Sequence, residues 1–131
     1  MDTENLGKLV LRLTVGSLLL LHGVHKLLDG IDPIKHLIAD HGLPEFLAYG
    51  VYLGEVVGPI LVILGLFARI GALLIVADMI AAMLLARAGD LFTLNDTGGY
   101  ALELEAFFLF GALTIFFLDA GRLGFGAGLR R

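Results

Sequence analysis

Residues 6–28, LGKLVLRLTVGSLLLLHGVHKLL, can cross a bilayer as one helix, for which about 20 mostly apolar residues are needed. Yet the stretch contains Arg12, His22, His25 and Lys26. On a helix turning about 100° per residue, with Arg12 at zero, Gly23 falls at about 20°, Gly16 at about 40°, Lys26 at about 320° and His22 at about 280°. His25 stands apart, at about 220°. Cationic, imidazole and small residues therefore share one stripe, and Leu and Val fill the rest. A charge at bilayer depth costs several kcal/mol unless it is buried and paired. The stripe must face protein, and the rest of the chain must supply its partners.

Composition agrees with a membrane setting. Of 131 residues, 58% are hydrophobic and 17% charged, and the mean hydropathy is +0.92. A soluble domain this small could not bury so much apolar surface, so an integral membrane protein in contact with lipid is expected. The chain has no cysteine, which excludes a thiol–disulfide relay or a cysteine-ligated cluster within it. No basic patch or aromatic platform points to nucleic acid. A cleavable signal peptide is not expected, because Asp2 and Glu4 make the first residues acidic and no small-residue cleavage site follows Leu28.

Four apolar spans can be read, at 6–28, 43–67, 69–88 and 99–118, within one domain covering 1–131. The expected fold is an all-α, integral membrane four-helix bundle. Between the first two spans, Asp32–Pro33 reads as a helix start and Gly42 as a stop. Ile34, Leu37 and Ile38 form one face of a short interfacial helix at 33–41. The second span sets Gly50, Gly54 and Gly58 at i, i+4, i+8, a ridge that lets another helix approach. Glu55 lies beside that ridge. Pro59 lacks an N–H and disturbs the carbonyl four residues back, which belongs to Glu55. Packing explains the glycines and leaves Glu55 unexplained. Arg69 opens the third span, Asp78 lies halfway along it and Arg87 closes it. Glu103 and Glu105 fall early in the fourth, about 200° apart, so at most one faces straight into the bundle.

An even number of crossings puts both termini on one side, with Lys8, Arg12, Arg69, Arg122, Arg130 and Arg131. The other side holds Lys26, Lys35 and Arg87. The excess of Lys and Arg assigns the termini to the cytoplasm. His22, Lys26, Glu103 and Glu105 then reach one level near the outer face, with Glu55 and Asp78 below them. Three readings compete for such a polar pocket. It is structural, with Lys26–Glu103 and Arg12 fixing helix order. It is a quinone site, where His22 or Lys26 hydrogen-bonds a carbonyl and a carboxylate exchanges protons. Or it holds a metal, though His22 and His25 with Glu103 match a helical ligand set only loosely, and no metal is expected.

The motifs resemble the DoxX family nearly end to end. Those that carry the likeness are R-x-x-x-G…H-G-x-x-K (Arg12, Gly16, His22, Gly23, Lys26), G-L-P (Gly42 to Pro44) and G-E-x-x-G (Gly54, Glu55, Gly58). G-L-x-x-R-I-G (Gly65, Leu66, Arg69, Gly71), N-x-x-G-G-Y with Glu103 after it, and the closing Gly121–Arg122 complete it. Of the two glutamates, Glu103 better matches the family's spacing; Glu105 and Asp78 depart from it. The resemblance implies a small four-helix protein of the bacterial or archaeal plasma (inner) membrane. It also implies either of two roles. One is a redox-complex subunit, as in thiosulfate:quinone oxidoreductase or redox-stress assemblies, and the other is a membrane chaperone, as in distant relatives. The redox reading makes Lys26, Glu103 and His22 the catalytic residues, with Glu55 joining them to hold a quinone. Arg12, Arg69, Asp78, Gly54 and Gly58 are then structural. In that mechanism Lys26 or His22 steadies developing negative charge, Glu103 relays a proton, and a soluble or membrane partner supplies electrons from a sulfur donor. The alternative is a non-enzymatic assembly factor whose buried charges only fix its shape. A spare glycine ridge would suit a homo-oligomer.

Overall fold

Asp2 starts the first helix: its carboxylate accepts from the Glu4 amide at 3.0 Å, satisfying one of the donors a helix start leaves open. Helix α1 (Thr3–Asp29) then runs 27 residues, about 40 Å, and ends at Gly30, whose φ of 86° breaks it. The computed structural model describes residues 2–126. The basic residues Arg130 and Arg131 of the tail lie outside them. Helix α2 (Asp32–Asp40) carries Pro33 in its first turn, and Gly42 with φ 76° ends the connection. Asp32 is its first helical residue rather than its cap, a place Ile31 takes without a side-chain bond.

Helix α3 (Glu45–Leu64) is irregular along its length. It opens as a 3-10 turn over Glu45–Tyr49 and widens to a π-turn over Leu53–Val57, where the Gly58 amide bonds the Leu53 carbonyl five residues back. Regular α-helix resumes over Gly58–Leu64 and stops at left-handed Gly65. Helix α4 (Ala68–Leu85) follows, and helix α5 (Glu103–Leu118) completes the bundle. The fourth apolar span thus starts at Glu103, not at residue 99. The Asn95 side chain accepts the amides of Thr97 and Gly99, and an isolated antiparallel bridge joins Leu94 to Tyr100, so a tight loop occupies the first residues of the expected span.

Helices α1, α3 and α4 are long and apolar enough to cross a membrane. At 16 residues, α5 spans about 24 Å, against about 30 Å of bilayer hydrocarbon. The core gathers Val15 and Leu19 of α1, Val62 of α3, Ala72, Ile75 and Met79 of α4, and Phe108, Ala112 and Ile115 of α5. Outside it, large apolar residues such as Leu21, Leu73, Phe107 and Phe117 are exposed, as helices bathed in lipid require.

Glycines set the helix spacing. A Cβ at Gly54 would collide with the Asp78 side chain on α4, and one at Gly58 would lie 2.9 Å from the Gly71 carbonyl. A Cβ at Gly16 would sit 3.1 Å from the Pro59 carbonyl, and one at Gly23 would overlap the Glu55 carbonyl. Gly16 and Gly23 of α1 are thus packed on α3, and Gly54 and Gly58 of α3 on α4, whereas Gly50, the first of the α3 ridge, has nothing within 4 Å.

One end is laced by arginines. Buried Arg12 donates through Nε to the Val62 carbonyl at 2.9 Å and through Nη2 to Ile63 at 3.0 Å. Its Nη1 donates to Ala120 at 3.0 Å and Leu123 at 2.9 Å. One side chain thus caps the end of α3 and holds the segment after α5. At the same end Arg69 Nε donates to the Phe116 carbonyl at 2.9 Å, tying the start of α4 to α5.

Candidate functional site

At the opposite end, the π-turn of α3 presents Glu55 inward, where it is 4% exposed. Insertions of this kind recur at functional sites because they re-aim a side chain without ending the helix. Pro59 has no amide to bond the Glu55 carbonyl, and that oxygen instead faces the bare Cα of Gly23. α1 can therefore approach closely enough for Lys26 Nζ to pair with Glu55 Oε1. The Lys26 carbonyl accepts from Tyr52 Oη at 3.2 Å, a second tie between α1 and α3. On the other side of Glu55, the Asp78 carboxyl of α4 comes within hydrogen-bonding range, while its Oδ2 is buried without a partner. One cation and two carboxyls thus meet where α1, α3 and α4 cross.

This group separates two cavities. The larger, about 450 Å³, lies beneath α2. Ile34, Leu37 and Ile38 roof it, Leu53 and Leu74 stand on its sides, and Lys26, Glu55 and Asp78 supply its polar wall. The smaller, about 110 Å³, lies toward α5 and is lined by His22, Lys26, Glu55, Glu105 and Phe108 among others. Arg87 Nη1 donates to Glu105 Oε1 at 3.2 Å, and Glu105 Oε2 is buried without a partner.

Lys26 pairs with Glu55, not with Glu103. Because α5 begins at Glu103, that residue lies in the first turn and is exposed, away from both cavities. Glu105, about 200° further round, takes the inward place. Asp78, read as structural, stands in the polar group itself. His22 is exposed and packs edge-on against Phe108, with ring centres 5.9 Å apart. His25 points away and pairs with Asp29 at 3.1 Å. Outside the spans, Lys35 is held above the usual lysine range by the neighbouring Tyr49 hydroxyl, and its Nζ lies 4.9 Å from the Tyr49 ring centre. Among the described residues, no group of three or more His, Asp or Glu is placed to hold a metal ion.

One signal for Glu105 was present in the sequence. Glu105, Phe108, Ala112 and Ile115 follow one face at three- and four-residue steps, and the small Ala112 marks where α5 touches its neighbours.

No solved structure matches this chain. CatD of Bacillus subtilis (strain 168), a protein provisionally named an oxidoreductase, is 31% identical over 104 residues, covering 79% of this chain and 77% of the relative. Residues 7–88, which run from α1 through α4 and include Lys26, Glu55 and Asp78, match the DoxX family model. With its apolar helices wrapped around a polar crossing, this multi-pass membrane protein belongs to the DoxX family.

Proposed function

We propose that the chain is the membrane subunit of a redox complex that passes electrons from a reduced-sulfur donor, held by a partner protein, to a quinone in the larger cavity. The observation that carries this reading is the cavity itself: apolar on roof and sides, with Lys26, Glu55 and Asp78 gathered on one wall. Such a site suits an amphipathic ring with a polar edge and an apolar tail. The provisional name of CatD adds weight to a redox role. A bound quinone would serve as the acceptor, taking up two electrons and two protons. The chain's own part is to bind and neutralise. Lys26 Nζ donates to a ring oxygen and steadies negative charge there, while Glu55 holds the ammonium in place. The carboxyl pair of Glu55 and Asp78 provides a proton beside that oxygen. Helix α2 roofs the cavity with Ile34, Leu37 and Ile38. The proposed setting is a bacterial or archaeal plasma membrane.

A lipophilic quinone analogue titrated into purified protein tests the reading. Binding should fall at least about tenfold in Lys26→Ala, the loss of one charge-assisted hydrogen bond, and persist in His25→Ala. Protein that binds no analogue, yet co-purifies with one membrane protein whose level drops in its absence, would make the chain an assembly factor instead.

A further inference from the structure

The two cavities touch at one ion pair. Lys26 and Glu55 line both of them; Asp78 stands on the larger side, His22 and Glu105 on the smaller. At about 110 Å³ the smaller cavity has room for about three or four waters, taking about 30 Å³ for each. Its walls offer them partners in Glu55 and Glu105, whose Oε2 has no protein donor. Beyond Glu105 stands Arg87, with 41% of its side chain exposed and Asp90 at 3.6 Å. The charged groups facing this region are Lys26 on α1, Glu55 on α3, Asp78 midway along α4, Arg87 just past the end of α4 with Asp90 beside it, and Glu105 on α5, with titratable His22 at the rim. Lys26 and the half-exposed Arg87, itself shared with Asp90, face the three inner carboxyls of Glu55, Asp78 and Glu105. Withdrawn from water, carboxyls that outnumber the cations beside them favour keeping one proton among them.

We propose that the smaller cavity is a water-filled proton route serving the larger one, with Glu105 as its relay. A proton from solvent at the Arg87 end passes to Glu105 Oε2. It then crosses the cavity through water to the Glu55–Asp78 pair, and Glu105 is reprotonated from solvent. The inference rests on the quinone reading for its purpose, because reduction to the quinol consumes two protons along with two electrons from the donor. It does not rest on that reading for its test. Quinone and proton then reach the polar group from opposite sides, so protons need no path through the quinone's own cavity.

The test is hydrogen–deuterium exchange of the buried carboxylic acid, followed by its infrared carbonyl band, on the full chain in lipid nanodiscs. Glu105→Gln should slow exchange at least about tenfold, since a positioned acid or base group contributes factors of this size or more. Glu105→Asp, which keeps a carboxyl, should exchange close to the wild-type rate. Should Glu105→Gln fail to fold, a lipophilic carbodiimide applied to folded wild-type protein, with Glu105 identified as the modified site by mass spectrometry, should give the same slowing. An unchanged rate, or no carboxylic-acid band at neutral pH, overturns the route. Decylubiquinone binding to the wild type is measured alongside. If it fails while exchange still depends on Glu105, the route stands and the quinone reading falls.

Discussion

Lys26 and Glu55 make a buried ion pair whose value depends on completeness. Removing one partner of such a pair leaves an uncompensated charge and costs about 3–5 kcal/mol, whereas replacing both costs far less. Thermal melts in detergent should therefore show Lys26→Met destabilised by several kcal/mol, and Lys26→Met with Glu55→Gln recovering much of the loss. If the double variant melts no higher than the single, the two residues do not act as a pair. The glycines divide just as sharply. At Gly23 the obstacle is the Glu55 backbone carbonyl, which cannot swing aside, whereas at Gly50 nothing lies within 4 Å. Gly23→Ala should cost about 1–3 kcal/mol from overpacking, and Gly50→Ala should be neutral or slightly stabilising, both read from melting midpoints.

Between elements, the arginine end relies on geometry more than on charge. Arg12 serves carbonyls of Val62, Ile63, Ala120 and Leu123 from one planar fork. An ammonium is a compact point donor and cannot span them. Arg12→Lys should therefore release the segment after α5. Amide exchange at Phe125 and Gly126, which bond the Leu64 and Gly65 carbonyls, should rise while α1 stays protected. Equal protection in both proteins would show that the segment is held by something else. Periodicity and composition revealed the helices and the polar stripe of α1, because apolar length and helical angle are local properties. The start of α5 was less legible: Gly98 and Gly99 sit beside an apolar run, and only the Asn95 side-chain bonds decide where the turn ends. The later start leaves Glu103 in the exposed first turn; the preference for it comes from the family's spacing, while the angle between the two glutamates leaves either free to face inward. The Lys26–Glu55 pair was hidden for another reason. It depends on the close approach of α1 at Gly23 and on the π-turn, and neither follows from an angle on a single helix.

At the scale of the molecule, two ends with different chemistry argue for one orientation. The start of α1, the end of α3, the start of α4 and the end of α5 share the arginine end through Arg12 and Arg69. That end carries Lys8, Arg12, Arg69 and Arg122, while the cavity end carries Lys26, Lys35 and Arg87 with many carboxylates close by. The positive-inside rule counts Lys and Arg near span ends, and on that ground we propose that the arginine end lies in the cytoplasm and that the cavities and α2 face outward. The short α5 fits between, because a brief span is accommodated by local thinning or by polar residues reaching the interface, and the loop before it carries Asp90, Asn95 and Asp96 at that level. In the cysteine-free chain, Asp96→Cys should react with an impermeant maleimide on intact cells, and Gly7→Cys should react only after the membrane is opened. The same reagent on Lys35→Cys should label α2 from outside. The reverse pattern at all three positions would invert the protein and move the proposed electron-donating partner to the cytoplasm.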